Sequence, residues 1–218
     1  MHRDPAFPIF LADLVRFHLI SEVILIDNDP SRRPYLPVFN HPKIILLEQE
    51  TNIGVNCAWN LGVDASMENH LCVINDDIRI DLRVFYRVAN LLDDPTTGMI
   101  GLEPGDHNSI TFQKPLITGI IDIDPLPDTQ HRWGIGQAFF INKKNWEPIP
   151  ENIKIFSGDD CILDGHKLVG RINYTFSNVL WNTPYSVTSR SFVNEHAEQD
   201  RILYTKYHNE RVLKHAKN

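Results

Sequence analysis

Apolar positions change period several times along the chain, and each change marks an element. Residues 6–20, AFPIFLADLVRFHLI, place Leu11, Leu14, Val15 and Leu19 at helical spacing. EVILID follows, a short apolar strand that ends at Asp27, and then the turn-forming NDPSRRP. Lys43 to Leu47 (KIILL) reads as a second strand, and residues 52–66 return to a helical pattern that opens on Asn52. LCVI is a third strand, stopped by Asn75-Asp76-Asp77. Asp81 reads as the N-cap of a helix through Leu92, with Val84, Phe85, Val88, Leu91 and Leu92 on its buried face. Pro95 stops that helix, and Met99–Leu102 is the next strand.

The first half thus alternates helix and short apolar strand, which predicts an α/β fold with a mostly parallel sheet flanked by helices. The second half is less regular: a β-rich, proline-containing stretch at 104–128, QAFFIN, a helix near 159–168 and a strand around 172–180. One domain over 1–218 is expected, in three stretches: 1–102, 103–200 and a C-terminal helix (201–218). Polar residues collect after the strands, at Asp27-Asn28-Asp29 and Asn75-Asp76-Asp77, where open α/β sheets bind ligands.

Composition narrows the function. With 42% hydrophobic residues the chain can build a full core, and a net charge of −7 argues against a general nucleic-acid coat while leaving room for a local basic cleft. Cys57, Cys72 and Cys161 are odd in number, far apart and free of any CxxC, the pattern of reduced thiols in a cytoplasmic protein. No run is long enough to span a membrane, and Asp4, Pro5 and Pro8 stand where a signal peptide needs an apolar core.

The acidic turn needs an explanation. Two carboxylates about 4 Å apart repel by roughly 4 kcal/mol at an effective dielectric of about 20. Solvent, turn amides or a cation would offset that cost. Divalent cations such as Mg²⁺ and Mn²⁺ prefer hard oxygens and commonly take only one or two carboxylates plus substrate phosphates.

Four segments stand in order: ILIDNDPS (24–31), NIGVNCAWNLG (52–62), INDDI (74–78) and FSGDDCIL (156–163). The set resembles the GT-A nucleotide-sugar glycosyltransferases, especially their family-2 group, over roughly residues 3–165. The resemblance implies a nucleoside diphosphate sugar donor, with UDP as the expected nucleotide, a nucleotide-binding half over 1–102 and an acceptor and catalytic half over 103–200. Asp27 and the adjacent Asn28 would contact the base, although a turn aspartate bonding its own backbone is the plain alternative. Asn52, Gly54, Asn60 and Gly62 would lie beside the nucleoside, or else serve as a helix cap and packing glycines. The family's arginine before the second Asn is Trp59 here. Asp77 would hold Mn²⁺ or Mg²⁺, Asp76 would face sugar, ribose or metal, and Asn75 replaces the family's first aspartate.

In inverting members the later acidic pair includes the general base. Matching GDD to the family's GED implies Asp160 as the base with Asp159 as its neighbour. His131-Arg132-Trp133-Gly134-Ile135-Gly136-Gln137 occupies the place of a loop that touches donor and acceptor. Trp133, Gly134, Gly136 and Gln137 are therefore expected to bind substrate. His196 is a third metal ligand by the same comparison, or simply a surface histidine. The acceptor would be a glycan, a lipid-linked sugar, a protein or a modified DNA base, and an oligomer is possible. A sugar nucleotidyltransferase is the alternative, but it needs a Gly-rich phosphate loop that is not present. A non-catalytic sugar-nucleotide-binding or scaffold relative is the other. The resembling fold has a central first strand before its first helix. This chain opens directly on a helix, with His2-Arg3-Asp4-Pro5 in the place of that strand's tail, so the strand is expected to be absent.

Overall fold

A helix whose Phe7, Leu11 and Val15 recur every four residues opens the structure, a computed structural model that describes residues 7–28, 40–102, 121–127, 134–177, 181–182 and 193–217. This helix, α1 (Phe7–Arg16), is followed by β1 (Val23–Asp27), β2 (Ile44–Glu48), α2 (Val55–Ala65), β3 (His70–Ile74) and β4 (Arg79–Ile80). Then come α3 (Val84–Leu92), β5 (Thr97–Leu102), β6 (Asp122–Pro125), β7 (Ala138–Asn142) and α4 (Gly158–Leu168). The remaining elements are β8 (Ile172–Ser177), β9 (Trp181–Asn182) and α5 (Val193–His215).

The strands form a parallel pair β1–β2, a five-stranded sheet in the order β3-β7-β5-β8-β6, and a short pair β4–β9. The expected parallel character is confined to β1–β2 and β5–β8, because β7 and β6 run antiparallel to their neighbours. QAFFIN therefore lies between β3 and β5 in the reverse direction. Its Phe139, Phe140 and Ile141 are buried on both faces of the sheet, as is the whole of β5. The result is a mixed α/β sheet flanked by helices.

No described strand joins β1 to β3. Two helices span the interval instead. On one face α1 sets Phe7, Leu11 and Val15 against Val23, Leu25 and Ile44, while its Phe10 and Leu14 join the main-sheet cluster of Ile80, Val84 and Phe140. On the other, Gly62 of α2 lies against Ile26, and Val63 packs with Leu71 and Phe139. Asn75 N–H donates to Gln137 O at 3.0 Å and Lys143 N–H to Asn69 O at 2.7 Å. By the antiparallel alternation, the backbone groups of Leu71 and Val73 therefore face β7, and those of His70, Cys72 and Ile74 face the open edge.

α3 starts later than its pattern predicts, because Arg83 and not Asp81 occupies its cap position. Asp81 Oδ1 accepts Arg83 N–H at 2.9 Å and its carboxylate grips the Arg83 guanidinium, a pairing that holds the carboxyl below its ordinary range. It therefore shapes the turn before the helix. α5 begins at Val193, ahead of the expected residue 201, and so takes in His196.

Candidate functional site

The carboxyl end of β1 is stitched to the start of α2. Asp27 and Asn28 are both buried there. Asn28 Oδ1 accepts Ile53 N–H at 2.8 Å, and its Nδ2 donates to Gly54 O at 3.3 Å. Asn52 Oδ1 accepts Gly54 N–H at 2.9 Å. Gly54 itself has φ 87°, and a Cβ there would stand 2.6 Å from Lys154 O. Only glycine fits both the left-handed backbone and that approach. Asp27, Asn28, Asn52 and Gly54 thus converge on one corner.

Asn60 is turned elsewhere. Its Nδ2 donates to Ile149 O at 2.8 Å and its Oδ1 accepts Ile149 N–H at 3.0 Å, so both ends of the amide are spent on one backbone residue. Trp59, in the place of the family's arginine, packs edge-on against Phe139 with ring centroids 5.2 Å apart.

At the end of β3, the Asn75 carbonyl accepts Ile78 N–H at 3.1 Å and closes the turn that carries Asp76 and Asp77, both half-buried. Arg79 folds back under this turn. Its Nη1 donates to Asp76 O at 2.8 Å and Ile78 O at 2.7 Å, and its guanidinium lies 5.0 Å from the Phe10 ring centroid. Its positive charge is therefore held by the backbone of the turn that carries the two carboxylates. Among the described residues no three His, Cys, Asp or Glu side chains converge as a metal-binding group. That donor set fits a divalent cation that completes its shell with phosphate oxygens, and it does not make an all-protein cage. His196 is exposed on α5.

The acidic pair opens α4. Ser157, just before it, holds a left-handed φ of 57°, an uncommon backbone for a residue with a side chain. Asp159 Oδ1 accepts Asp160 N–H at 3.1 Å, and Asp159 Oδ2 accepts Gly136 N–H at 3.2 Å. Burial, then the neighbouring Asp160 charge, push the Asp159 carboxyl up to about 7. Gly136 lies in a 3₁₀ turn, Ile135–Gln137, entered through Gly134. Gln137 O receives the Asn75 amide. This single turn therefore links Asn75 on one side to Asp159 on the other. Trp133 lies outside the described residues.

Two residues that local sequence patterns do not mark hold the segment leading into the pair. Asn56, fully buried, donates from Nδ2 to Ile153 O at 3.0 Å and Phe156 O at 3.1 Å. Asp200 of α5, also buried, accepts the amides of Lys154 at 3.1 Å, Ile155 at 2.8 Å and Phe156 at 2.9 Å. Asn56 lies inside the NIGVNCAWNLG segment and could have been noticed there. Asp200 sits among the polar residues of a surface helix and carries no local signal.

No family model and no curated protein sequence matches this chain. Solved structures do. Residues 1–349 of S. aureus TarS superpose with a TM-score of 0.56 at 14% identity, over 80% of this chain and 54% of that one. A further structure of S. aureus TarS gives a TM-score of 0.54 at 14% identity, over 92% and 40%. The chain spans about half or less of those structures. At this identity the likeness is one of architecture: the chain has a glycosyltransferase-like fold of the GT-A type.

Proposed function

We propose that this chain is a single-domain, cytoplasmic glycosyltransferase that moves a sugar from a nucleoside diphosphate sugar, with UDP as the favoured nucleotide, to an acceptor hydroxyl with inversion. One observation carries the reading: the Ile135–Gln137 turn binds the amide of Asn75 at one end and the carboxylate of Asp159 at the other. A donor-side acidic turn and an acceptor-side acidic pair are thereby tied through three residues, at the carboxyl edge of the sheet.

In this mechanism Asp27 and the Asn52–Gly54 corner, which the Asn28 amide braces, receive the nucleoside, and Asp76 faces the sugar. Asp77 would hold Mn²⁺ or Mg²⁺, which when bound supplies Lewis-acid stabilisation to the departing diphosphate. Asp160 takes the proton from the acceptor hydroxyl. The acceptor oxygen forms its bond to the anomeric carbon as the carbon–oxygen bond to the diphosphate breaks. Asp159, fixed by two backbone amides, keeps Asp160 in place. The acceptor class is a glycan, a lipid-linked sugar, a protein or a modified DNA base.

A second reading, a non-catalytic sugar-nucleotide-binding relative, is favoured by Trp59, whose packing on Phe139 leaves no phosphate contact at that place. Calorimetry with UDP, with and without Mn²⁺, followed by UDP release from a panel of donors, separates the two. The enzyme reading expects metal-dependent binding that Asp77→Asn weakens, and turnover that Asp160→Asn abolishes while donor affinity stays. Metal-independent binding, or full turnover in Asp160→Asn, would sink it.

A further inference from the structure

His166 lies in the last turn of α4 and is fully buried. Both of its ring nitrogens meet oxygens: Nδ1 is 2.9 Å from Asn173 Oδ1 of β8, and Nε2 is 2.9 Å from the backbone carbonyl of Asn145. The Asn173 amide cannot be turned over, because its Oδ1 also accepts Met99 N–H at 2.9 Å and its Nδ2 donates to Leu163 O at 3.0 Å. The Asn145 oxygen is a carbonyl and can only accept. Turning the imidazole over would set carbon atoms against both oxygens. Glycine at 98 makes room for the arrangement. A Cβ there would stand 2.7 Å from His166 Nδ1 and 2.3 Å from Asn173 Oδ1.

Two acceptors at hydrogen-bonding distance require two N–H groups. A neutral imidazole has one, so on one side a lone pair faces an oxygen, and only the imidazolium donates to both. Burial works against that charge and pushes the ring below its ordinary value of 6.5, while the two hydrogen bonds and Glu147 pull it upward. Arg171, in the turn between α4 and β8, opposes the proton. Glu147 is itself shared with Arg211 of α5. From β5 and β8 the ring meets Gly98 and Asn173, which carry no charge. The carbonyls at the end of α4 favour a cation there.

We infer that His166 is a proton-operated latch between α4 and the segments beneath it. Neutral, it holds the helix to either the Asn145 carbonyl or the Asn173 side chain; protonated, it holds both. Asp159 stands seven residues earlier, about two turns along the same face of the helix, where it accepts Gly136 N–H. α4 is therefore fastened at its acidic end and latched at the other. The latch is independent of glycosyl transfer, since it uses no residue of the acidic turn or the acidic pair.

Nitrogen-15 NMR of the ring, followed from pH 8 to pH 5 in the full chain, tests it. At pH 8 one ring nitrogen should carry a hydrogen and the other a lone pair. Below 6.5 the second nitrogen should become an N–H, and the carbonyl carbons of Asn145 and of the Asn173 side chain should both shift with the same midpoint. Asn173→Asp, which keeps the acceptor oxygen and adds a charge, should raise that midpoint by about one unit or more, a tenfold tighter proton. A ring that keeps one proton over the whole folded range, or two over the whole range, overturns the latch. So does a titration that moves only one of the two carbonyls, or an Asn173→Asp midpoint that stays where it was.

Discussion

Asn56 Oδ1 occupies the space that a side chain at residue 158 would need: a Cβ on Gly158 would stand 2.1 Å from it. The two residues are about a hundred positions apart in sequence, yet they fix how α2 meets the first turn of α4. Gly158→Ala must push Asn56 away from Ile153 and Phe156. Overpacking of this kind costs about 1–3 kcal/mol. Urea unfolding should register that loss, and Asn56→Ala in the same chain should make it non-additive. Additive costs would mean that the two sites do not compete for space.

Asp200 gives the opposite case, a side chain whose removal leaves donors behind. Three consecutive amides, from Lys154 to Phe156, end on its carboxylate. Asp200→Ala strands them, and an unsatisfied buried donor costs about 1–3 kcal/mol. Asp200→Asn keeps acceptor oxygen for part of the set and should lose less. Thermal denaturation of the two variants orders them. Equal losses would show that packing, not the carboxylate, is what matters there.

The acidic pair makes a pH prediction whose sign is unusual for a carboxylate. Asp159 has a folded value of about 7 against an ordinary 3.8, so the folded state binds its proton more tightly than the unfolded state does. Stability from this group is complete below about 3.8 and is lost as pH rises through about 7. The loss runs at about 1.4 kcal/mol for each tenfold difference in proton affinity. Asp159→Asn should therefore gain more over the unaltered chain at pH 8 than at pH 5, measured by guanidinium unfolding. A difference that does not change with pH would place the Asp159 carboxyl in the ordinary range.

Arg79 supports the acidic turn from below through two carbonyls. Arg79→Met keeps an apolar stem against Phe10 while removing both donors and the charge. The expected loss is about 1.5–3 kcal/mol of stability, the usual worth of bonds to a charged group. Mn²⁺-dependent UDP binding should also weaken, because the turn that presents Asp76 and Asp77 loses its brace. Calorimetry reads the second effect apart from the first. Unaltered UDP affinity would mean that the turn keeps its shape unaided.

Much of the architecture was legible where local period decides it. β1, β2, α2, β3, α3 and β5 all stand close to where alternating helix and strand patterns place them, as does α4. Direction was not legible. Nothing within QAFFIN says that β7 must run against β3 and β5, since Phe139 and Phe140 are buried on either face whichever way the strand points. The site divides in the same way. Asp27, Asn28, Asn52, Gly54 and the acidic residues sit at element ends, where sequence patterns look. Asn60 reads from its motif as a nucleoside contact, but its amide is spent on Ile149. Its partner, like those of Asn56 and Asp200, lies dozens of residues away, and only the folded chain brings them together.

The arrangement of β3 has a mechanical consequence for the acidic turn. Its ladder of backbone bonds runs along β7 alone among the described strands, and its other edge, at His70, Cys72 and Ile74, meets none. The location of Asp76 and Asp77 is thus inherited from β7, through the packing of Phe139 and Phe140 and the amide of Asn75 on Gln137. A slip of one residue in that pair would exchange the two sides of the sheet, moving Leu71 and Val73 to the cluster that holds Cys72 and Ile74. It would also carry both carboxylates about 3.3 Å away from Asp159. The aromatic core of the sheet is what sets the distance between the two acidic groups.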